Sequence, residues 1–490
     1  MRKKTPIRST FKGLTILLAV LGGATFANML SNQSVQMQVA AIDEALLDQN
    51  AIATILSKAV QYETVSRRDT TQTQYNHFSG FLKFLEKSFP MSFRSLKVEP
   101  VNQYSLLLTW PGSEKTQRPA LFLAHYDVVA AENVVDWTHP PYSGAIADDY
   151  VWGRGSMDDK SAIITQLYAV EHLLMQGYQP KRTLIFAYGH DEEVGGQDGA
   201  RLIAAELEQR GIKPEVMFDE GMPITNGVLK GISQPAALIG VSEKGYLTLE
   251  LTVEGDGGHS SSPPPHSAVG ILAKAITRIE DSPMPARLSG PVGKMFDALS
   301  PEMAPVQKVV LSNRWLFGPI LEQQLSGKNS TNALIRTTAA ATMFQGSLQA
   351  NVLPSVAKAS VNFRIVPGDN VEGVIAHVEK AIADPRVKIH ISGNAIEPAR
   401  ISSTQSAGFV AITKTVREIF PDTLTAPALL IASTDSKHYL PLVDDAYRFR
   451  PIWVAQEDIK RFHGVDERIS VENLLKMTQY KIRLMQNLDG

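Results

Sequence analysis

Cysteine is absent from all 490 residues, so thiolate metal sites, cysteine nucleophiles and disulfide staples are excluded, and any metal must be held by His, Asp and Glu. A surplus of one charge is also lacking. The 48 Lys and Arg stand against 50 Asp and Glu, which removes any compositional argument for nucleic acid or another polyanionic partner. No Gly-x-Ser-x-Gly elbow occurs, which counts against the commonest serine hydrolases, and no His-Glu-x-x-His motif, which counts against mononuclear zinc proteases. With 44% hydrophobic and 20% charged residues, disorder is equally unsupported, and the length fits two or three domains.

Between Lys12 and Asp43 no charged residue occurs. Arg2, Lys3, Lys4, Arg8 and Lys12 form a basic head, followed by eighteen mostly apolar residues, 13–30. That order reads as a signal peptide or an N-terminal membrane anchor over 1–30, with Thr25 and Ala27 as a weak cleavage site. By the positive-inside rule the head stays cytoplasmic and the rest is exported, to the periplasm or another extracytoplasmic space. Contact with a membrane is expected only through this segment.

From Pro119 onward, apolar runs lead repeatedly into acidic residues or His. ALFLA (120–124) precedes His125 and Asp127, TLIFA (183–187) precedes His190–Glu193, and Val216–Phe218 precedes Asp219 and Glu220. Such runs read as buried strands of an α/β sheet. The helix predicted over 160–176 between the first two has Asp158 or Asp159 as its cap and ends at Gly177. After Gly245 the pattern alternates strictly over 246–253 and 356–366, as in an antiparallel sheet with one wet face. With helices over 267–279 and 371–382 and a strand over 387–391, this makes a split β-α-β plan. The α/β pattern resumes near 396, with strands over 428–432 and 451–454. The expected architecture is therefore an α/β catalytic domain in two parts, 45–243 and 396–490, interrupted by an α+β domain over 244–395. The Pro- and Gly-containing stretch 283–350 gives no readable pattern.

His125, Asp127, Asp158, Asp159, Glu192, Glu193, Asp219 and His463 each follow a separate run or turn. So many carboxylates at one sheet edge repel one another unless cations neutralise them, and a pair of divalent ions is the economical solution. With nitrogen and oxygen donors only, zinc leads, and cobalt or manganese fits the same ligand types.

The blocks AHYDVV (124–129), WGRGSMDDK (152–160), DEEVGG (191–196), FDEG (218–221), GGHSS (257–261), NFRIVPGD (362–369) and HGVDERIS (463–470) carry a resemblance. In this order they resemble the co-catalytic dizinc metallopeptidase and aminoacylase family, which includes carboxypeptidase S, aminoacylase and succinyl-diaminopimelate desuccinylase. STDSKHY (433–439) and YRFRPIW (447–453) look most like the carboxypeptidase S and N-fatty-acyl-amino-acid hydrolase branch.

The resemblance implies a zinc-peptidase-like fold with a lid or dimerisation insert, and two zinc ions per subunit bridged by Asp158. His125 and Asp219 would complete one ion, Glu193 and His463 the other. Glu192 would be the general base and Asp127 the carboxylate that orients His125, while Asp159 reads as a helix cap. In the insert, His259 would stabilise the oxyanion and Arg364 would grip a substrate carboxylate. Asn351, Thr434 and Asp435 match further substrate-loop positions. The implied reaction is cleavage of a peptide or N-acyl amide bond next to a free carboxylate, on a dipeptide or an N-acyl amino acid. The family also allows a homodimer through the insert.

Overall fold

The computed structural model describes residues 7–42, 46–227, 231–455 and 457–489, with side chains from residue 16 onward. The basic residues Arg2, Lys3 and Lys4 lie outside the described residues. The first helix, α1 (Ile7–Ser31), covers most of the apolar N-terminal stretch. No helix among the described residues is long and apolar enough to cross a membrane, so a spanning anchor gains no support from the structure. By its contacts the chain divides into two compact units. The larger holds 37–226, 234–246 and 396–490; the smaller holds the N-terminal segment to Gln36, 227–233 and 247–395.

Six strands of the larger unit come first: β1 (Lys97–Val101), β2 (Ser105–Trp110), β3 (Ala120–His125), β4 (Leu184–Gly189), β5 (Val216–Thr225) and β6 (Ala236–Glu243). The chain then builds β7 (Gly245–Glu254), β8 (Thr338–Gln345), β9 (Val356–Ile365) and β10 (Val387–Ile391), before β11 (Leu424–Leu430) and β12 (Asp445–Trp453) complete the larger unit's sheet. That sheet runs β1-β2-β4-β3-β5-β12-β6-β11. At its centre β3 is parallel to β4 and β5, and β5 is parallel to β12. The outer pairs β1–β2 and β2–β4 are antiparallel, so the sheet is mixed.

β3, β4, β6 and β11 are buried along their whole length, and the apolar runs of β3, β4 and the second half of β11 reflect it. Alternation still sorts their side chains. Ala120, Phe122 and Ala124 join one core with helix α2 (Lys160–Met175) and the C-terminal helix Val471–Asn487, whereas Leu121 and Leu123 join a second core on the other face. Asp159 precedes α2, but its side chain makes no capping bond. That corrects the cap reading. Gly177 stands at φ 71°, where glycine ends the helix without strain. β11 and β12 begin earlier than the apolar runs suggest, because Thr425, Pro427, Arg448 and Arg450 lie inside them.

The smaller unit's sheet runs β8-β9-β7-β10, a β-α-β-β-α-β plan with α3 (Ala268–Asp281) after β7. Leu247, Leu249, Leu251 and Val253 of β7 and Ala357, Ala359, Val361, Phe363 and Ile365 of β9 form its core with α3. The stretch without a readable pattern holds helices Gly290–Leu299, α4 (Pro305–Ser312), α5 (Arg314–Ser326) and Asn329–Ile335, then the exposed edge strand β8. Helix α6 (Val371–Ile382) joins β9 to β10 and is capped by Asn370, whose side chain accepts from Gly373 N.

Phe122 is fully buried between Phe186 and Phe218 on the neighbouring strands, with ring centroids 5.2 and 5.1 Å away. Phe122→Ala is expected to lower stability by about 3–5 kcal/mol, read as a lower denaturant midpoint with an unchanged slope.

Candidate metal centre

The parallel strands β3, β4 and β5 deliver their C-terminal residues to one edge. His125 ends β3 opposite Gly189, and the turn after Gly189 carries Glu192 and Glu193. On β5, Asp219 lies opposite Arg448 of β12, but the next pair is Met222 with Phe449. Glu220 and Gly221 are therefore extra residues in a bulge. A Cβ at Gly221 would lie 2.4 Å from the Arg448 carbonyl carbon, so only glycine allows this approach.

Asp158 stands between two imidazoles: Oδ1 is 3.3 Å from His125 Nε2 and Oδ2 is 3.2 Å from His463 Nε2. Glu193 Oε2 is also 3.2 Å from His463 Nε2, and Glu220 Oε1 is 3.4 Å from His125 Nε2. Among the described residues three groups have metal-ligand reach: His125 with Glu192 and Glu220, Asp158 with Glu193 and His463, and Asp158 with Asp159 and Glu220. His125 Nε2 is buried and makes no directed hydrogen bond, and Glu193 Oε1 is buried without a partner. Unpaired nitrogen and oxygen donors of this kind fit divalent zinc.

Asp127, fully buried, fixes this edge. Its carboxylate accepts from Ser66 Oγ at 2.6 Å, Glu192 N at 3.1 Å and Glu193 N at 3.0 Å, while its backbone oxygen lies 3.1 Å from His125 Nδ1. Burial would lower the His125 pKa, but Asp127, Asp158 and Glu220 more than offset it and hold it well above the usual range. His463 is raised to about 10 by Asp158 and Glu193. Burial pushes Glu192 well above the ordinary carboxylate range, and the charges of Asp435, Glu220 and Glu193 add to the effect.

A sequence model of peptidase family M20/M25/M40 matches residues 121–487. The chain belongs to this family. Its members are metal-dependent hydrolases, and the protein is an enzyme of that class. Among curated relatives, a probable carboxypeptidase S-like 2 from Dictyostelium discoideum is 40% identical, over 89% of this chain and 85% of the relative. An N-fatty-acyl-amino acid synthase/hydrolase PM20D1.1 from Danio rerio is 39% identical, over 97% and 93%. Among solved structures, the M20 family metallo-carboxypeptidase Sso-CP2 from Sulfolobus solfataricus superposes with a TM-score of 0.64 at 17% identity, covering 91% of this chain and all of that one. The α/β fold class expected from sequence agrees with this likeness.

The structure departs from the residues expected in this M20 chain at one ligand position. Asp219 is not gathered with His125. Its oxygens accept from Glu220 N at 2.9 Å and Ser436 N at 3.0 Å, and the bulge turns Glu220 towards His125 instead. Thr434 is buried and bonds Glu243, and Asp435 is buried against Gly189 and Gly196. In the smaller unit, His259 is exposed in a short strand paired with Val352, next to Asn351, and its Nδ1 lies 2.8 Å from Ser261 Oγ. Arg364 lies on β9 opposite Thr338 of β8. His190 and His438 bond Ser105 and Gly195 and join none of these groups.

Three supports escaped the sequence reading. Arg450 is buried with Nη2 on Glu220 at 2.6 Å and Asp158 at 3.2 Å, and Nη1 on Asp159 at 2.8 Å. Arg154 and Glu467 form a buried pair at 2.5 Å. Glu467 Oε1 accepts from Gly155 N, Met157 N and Asp158 N, and Arg154 Nη2 donates to His463 O at 3.0 Å. The signal was available: a charged residue inside an apolar strand such as AYRFRPIW needs a buried partner. A cavity of about 460 Å³, lined by Tyr150, Trp453 and Arg468 among others, contains no residue of these groups.

Arg154→Met leaves Glu467 charged and buried without its partner. A loss of about 3–5 kcal/mol is expected, and the Arg154→Met/Glu467→Met pair recovers part of it. Chemical denaturation of the two variants checks the loss and the recovery, and bound metal should fall in both because Asp158 and His463 lose their common support.

Proposed function

We propose that the protein is a two-zinc amidohydrolase that cleaves N-acyl amino acids with an apolar acyl chain, releasing a fatty acid and a free amino acid. The observation that carries this reading is the placement of Asp158 between His125 and His463, beside a cavity of about 360 Å³. Met222, Pro223, Leu430, Ile459 and Phe462 line that cavity next to Glu192 and Glu193. An apolar wall against a charged edge suits an amphiphile whose scissile amide separates a hydrocarbon chain from a carboxylate. The Danio rerio relative's name supports the same substrate class, and the Dictyostelium discoideum relative supports a carboxypeptidase as second reading.

Asp158, His125, Glu193 and His463 would hold the two ions, with one more carboxylate beside His125. When bound, zinc supplies Lewis acidity that polarises an amide carbonyl and acidifies water. Glu192 takes a proton from the attacking water and delivers it to the leaving amide nitrogen. Asp127 holds the backbone of Glu192 and Glu193, so base and ligand keep one spacing. Roles for His259 as oxyanion partner and for Arg364, Asn351, Thr434 and Asp435 in substrate binding rest on sequence resemblance. Export of the chain, read from its basic-then-apolar N-terminus, belongs to the same proposal.

Hydrolysis of a long-chain N-acyl amino acid and of a blocked dipeptide, each with and without chelator, tests the reading. Chelator-sensitive preference for the acyl substrate is expected; preference for the dipeptide would favour the carboxypeptidase. Glu192→Gln should lower kcat about a hundred- to ten-thousand-fold while bound metal stays unchanged.

Two adjacent carboxylates compete for the remaining place beside His125. Glu220 stands there in the structure, and Asp219 is the residue implied by the resemblance. Zinc content of Glu220→Gln and Asp219→Asn decides between them. The true ligand's variant loses about half its metal, and the geometry favours Glu220.

A further inference from the structure

The cavity of about 460 Å³ that holds no metal-type residue lies wholly in the larger unit and is in the size range of small-molecule sites. Met157, Phe420, Ile452, Trp453, Val454 and Ile469 give it an apolar wall. Trp453 is 38% exposed, so part of that wall faces solvent.

One cation on the cavity lacks acceptors. Arg468 lies on the short strand Arg468–Ser470, antiparallel to Tyr150–Trp152, and its guanidinium carbon is 4.4 and 4.5 Å from the ring centroids of Tyr150 and Trp152. The two rings fix where the guanidinium stands without satisfying its N–H groups. Its Nε is buried with no hydrogen-bond partner, and its ion pair with Asp458, Nη2 to Oδ1, is stretched to 3.9 Å. That same oxygen accepts from Arg461 Nε at 2.5 Å, so Asp458 is already engaged. With its side chain only 22% exposed, Arg468 gains little from water either. Glu472 and Lys476 of the C-terminal helix also line the cavity and offset each other in charge. What remains is a planar fork of donors beside an apolar wall, which fits a carboxylate carrying a hydrocarbon tail.

We propose that this cavity is a second ligand site, which binds a fatty-acid-type monocarboxylate with its head on Arg468 and its tail along Ile452, Trp453 and Ile469, and that occupancy tightens the metal edge. The route is short. Arg468 directly follows Glu467, and Met157 directly precedes Asp158; Met157 N donates to Glu467 Oε1 at 2.7 Å. A ligand spanning Arg468 and Met157 draws together the same two stretches that the Arg154–Glu467 pair joins, and so acts in the same direction. The inference rests on this cavity and does not use the hydrolytic reading.

Metal-loaded full-length protein would be titrated calorimetrically with octanoate, with butyrate, which lacks the tail, and with 1-octanol, which lacks the carboxylate. Octanoate is expected to bind about ten-fold or more tightly than either control, and Arg468→Gln to remove that advantage. Should Arg468→Gln fail to fold, Trp453→Ala still reports on the wall, with an expected loss of about three-fold. Competition against a chromogenic chelator then reads zinc affinity. Saturating octanoate should raise it about five-fold in the unaltered chain, with no rise in Arg468→Gln and none from butyrate at the same concentration. Full octanoate binding by Arg468→Gln, or equal binding of 1-octanol, would overturn the site. So would octanoate binding that disappears on chelation, which would place the ligand on the metal edge. Zinc affinity unmoved by saturating octanoate would overturn the coupling.

Discussion

The buried ion pair between Arg154 and Glu467 is the constraint on which the candidate site depends. It joins two stretches more than three hundred positions apart in sequence, the loop that ends in Asp158 and the turn that presents His463. One carboxylate oxygen of Glu467 receives the amides of Gly155, Met157 and Asp158, and the other receives the guanidinium. The pair therefore does two jobs with four hydrogen bonds: it satisfies a glycine-rich loop that has no regular structure, and it fixes the carboxylate that stands between His125 and His463. His463 stands at φ 58°, a conformation that a residue with a side chain rarely adopts. The Arg154 bond to its carbonyl helps to hold it there, as expected of strain kept at a functional position.

Burying charge this deeply is costly, and the fold meets the cost by pairing in layers. Arg450 answers Asp158, Asp159 and Glu220; Arg448 answers Glu243, which in turn receives Thr434. Both arginines come from β12, the strand next to the one that carries Asp219 and Glu220. Such networks rarely add stability over an apolar core, but they specify which geometry the carboxylates adopt.

Much of this was legible in the sequence. Buried strands such as β3 and β4 announce themselves as apolar runs, whereas β6, equally buried, does not, and the alternating strands of the smaller unit gave both their faces and their class. His125, Asp158, Glu193 and His463 were named from motif order and meet in space. Asp219 was named by resemblance; that Glu220 stands nearer His125 follows from a bulge, which Gly221 marks but the sequence pattern alone does not place. Arg154 and Glu467 were quoted within their motifs but not paired, since pairing at that sequence distance is a property of the fold. The helices of 283–350 were obscured by Pro291 and Pro305 at helix starts and by Pro319 inside α5, where periodicity alone suggests a break.

The order of strands in the larger unit carries a consequence for synthesis. β12, among the last elements made, is inserted in the middle of the sheet between β5 and β6 rather than added at its edge. A ribosome that has released everything up to β11 has therefore produced a sheet with a gap at its centre and no His463. Sheet closure must wait for contacts of very high sequence separation, which are slow to form. Until almost its whole length is available, the nascent chain cannot complete the cluster of Asp158, Glu193 and His463. Metal acquisition there is thereby tied to a chain whose synthesis is almost complete.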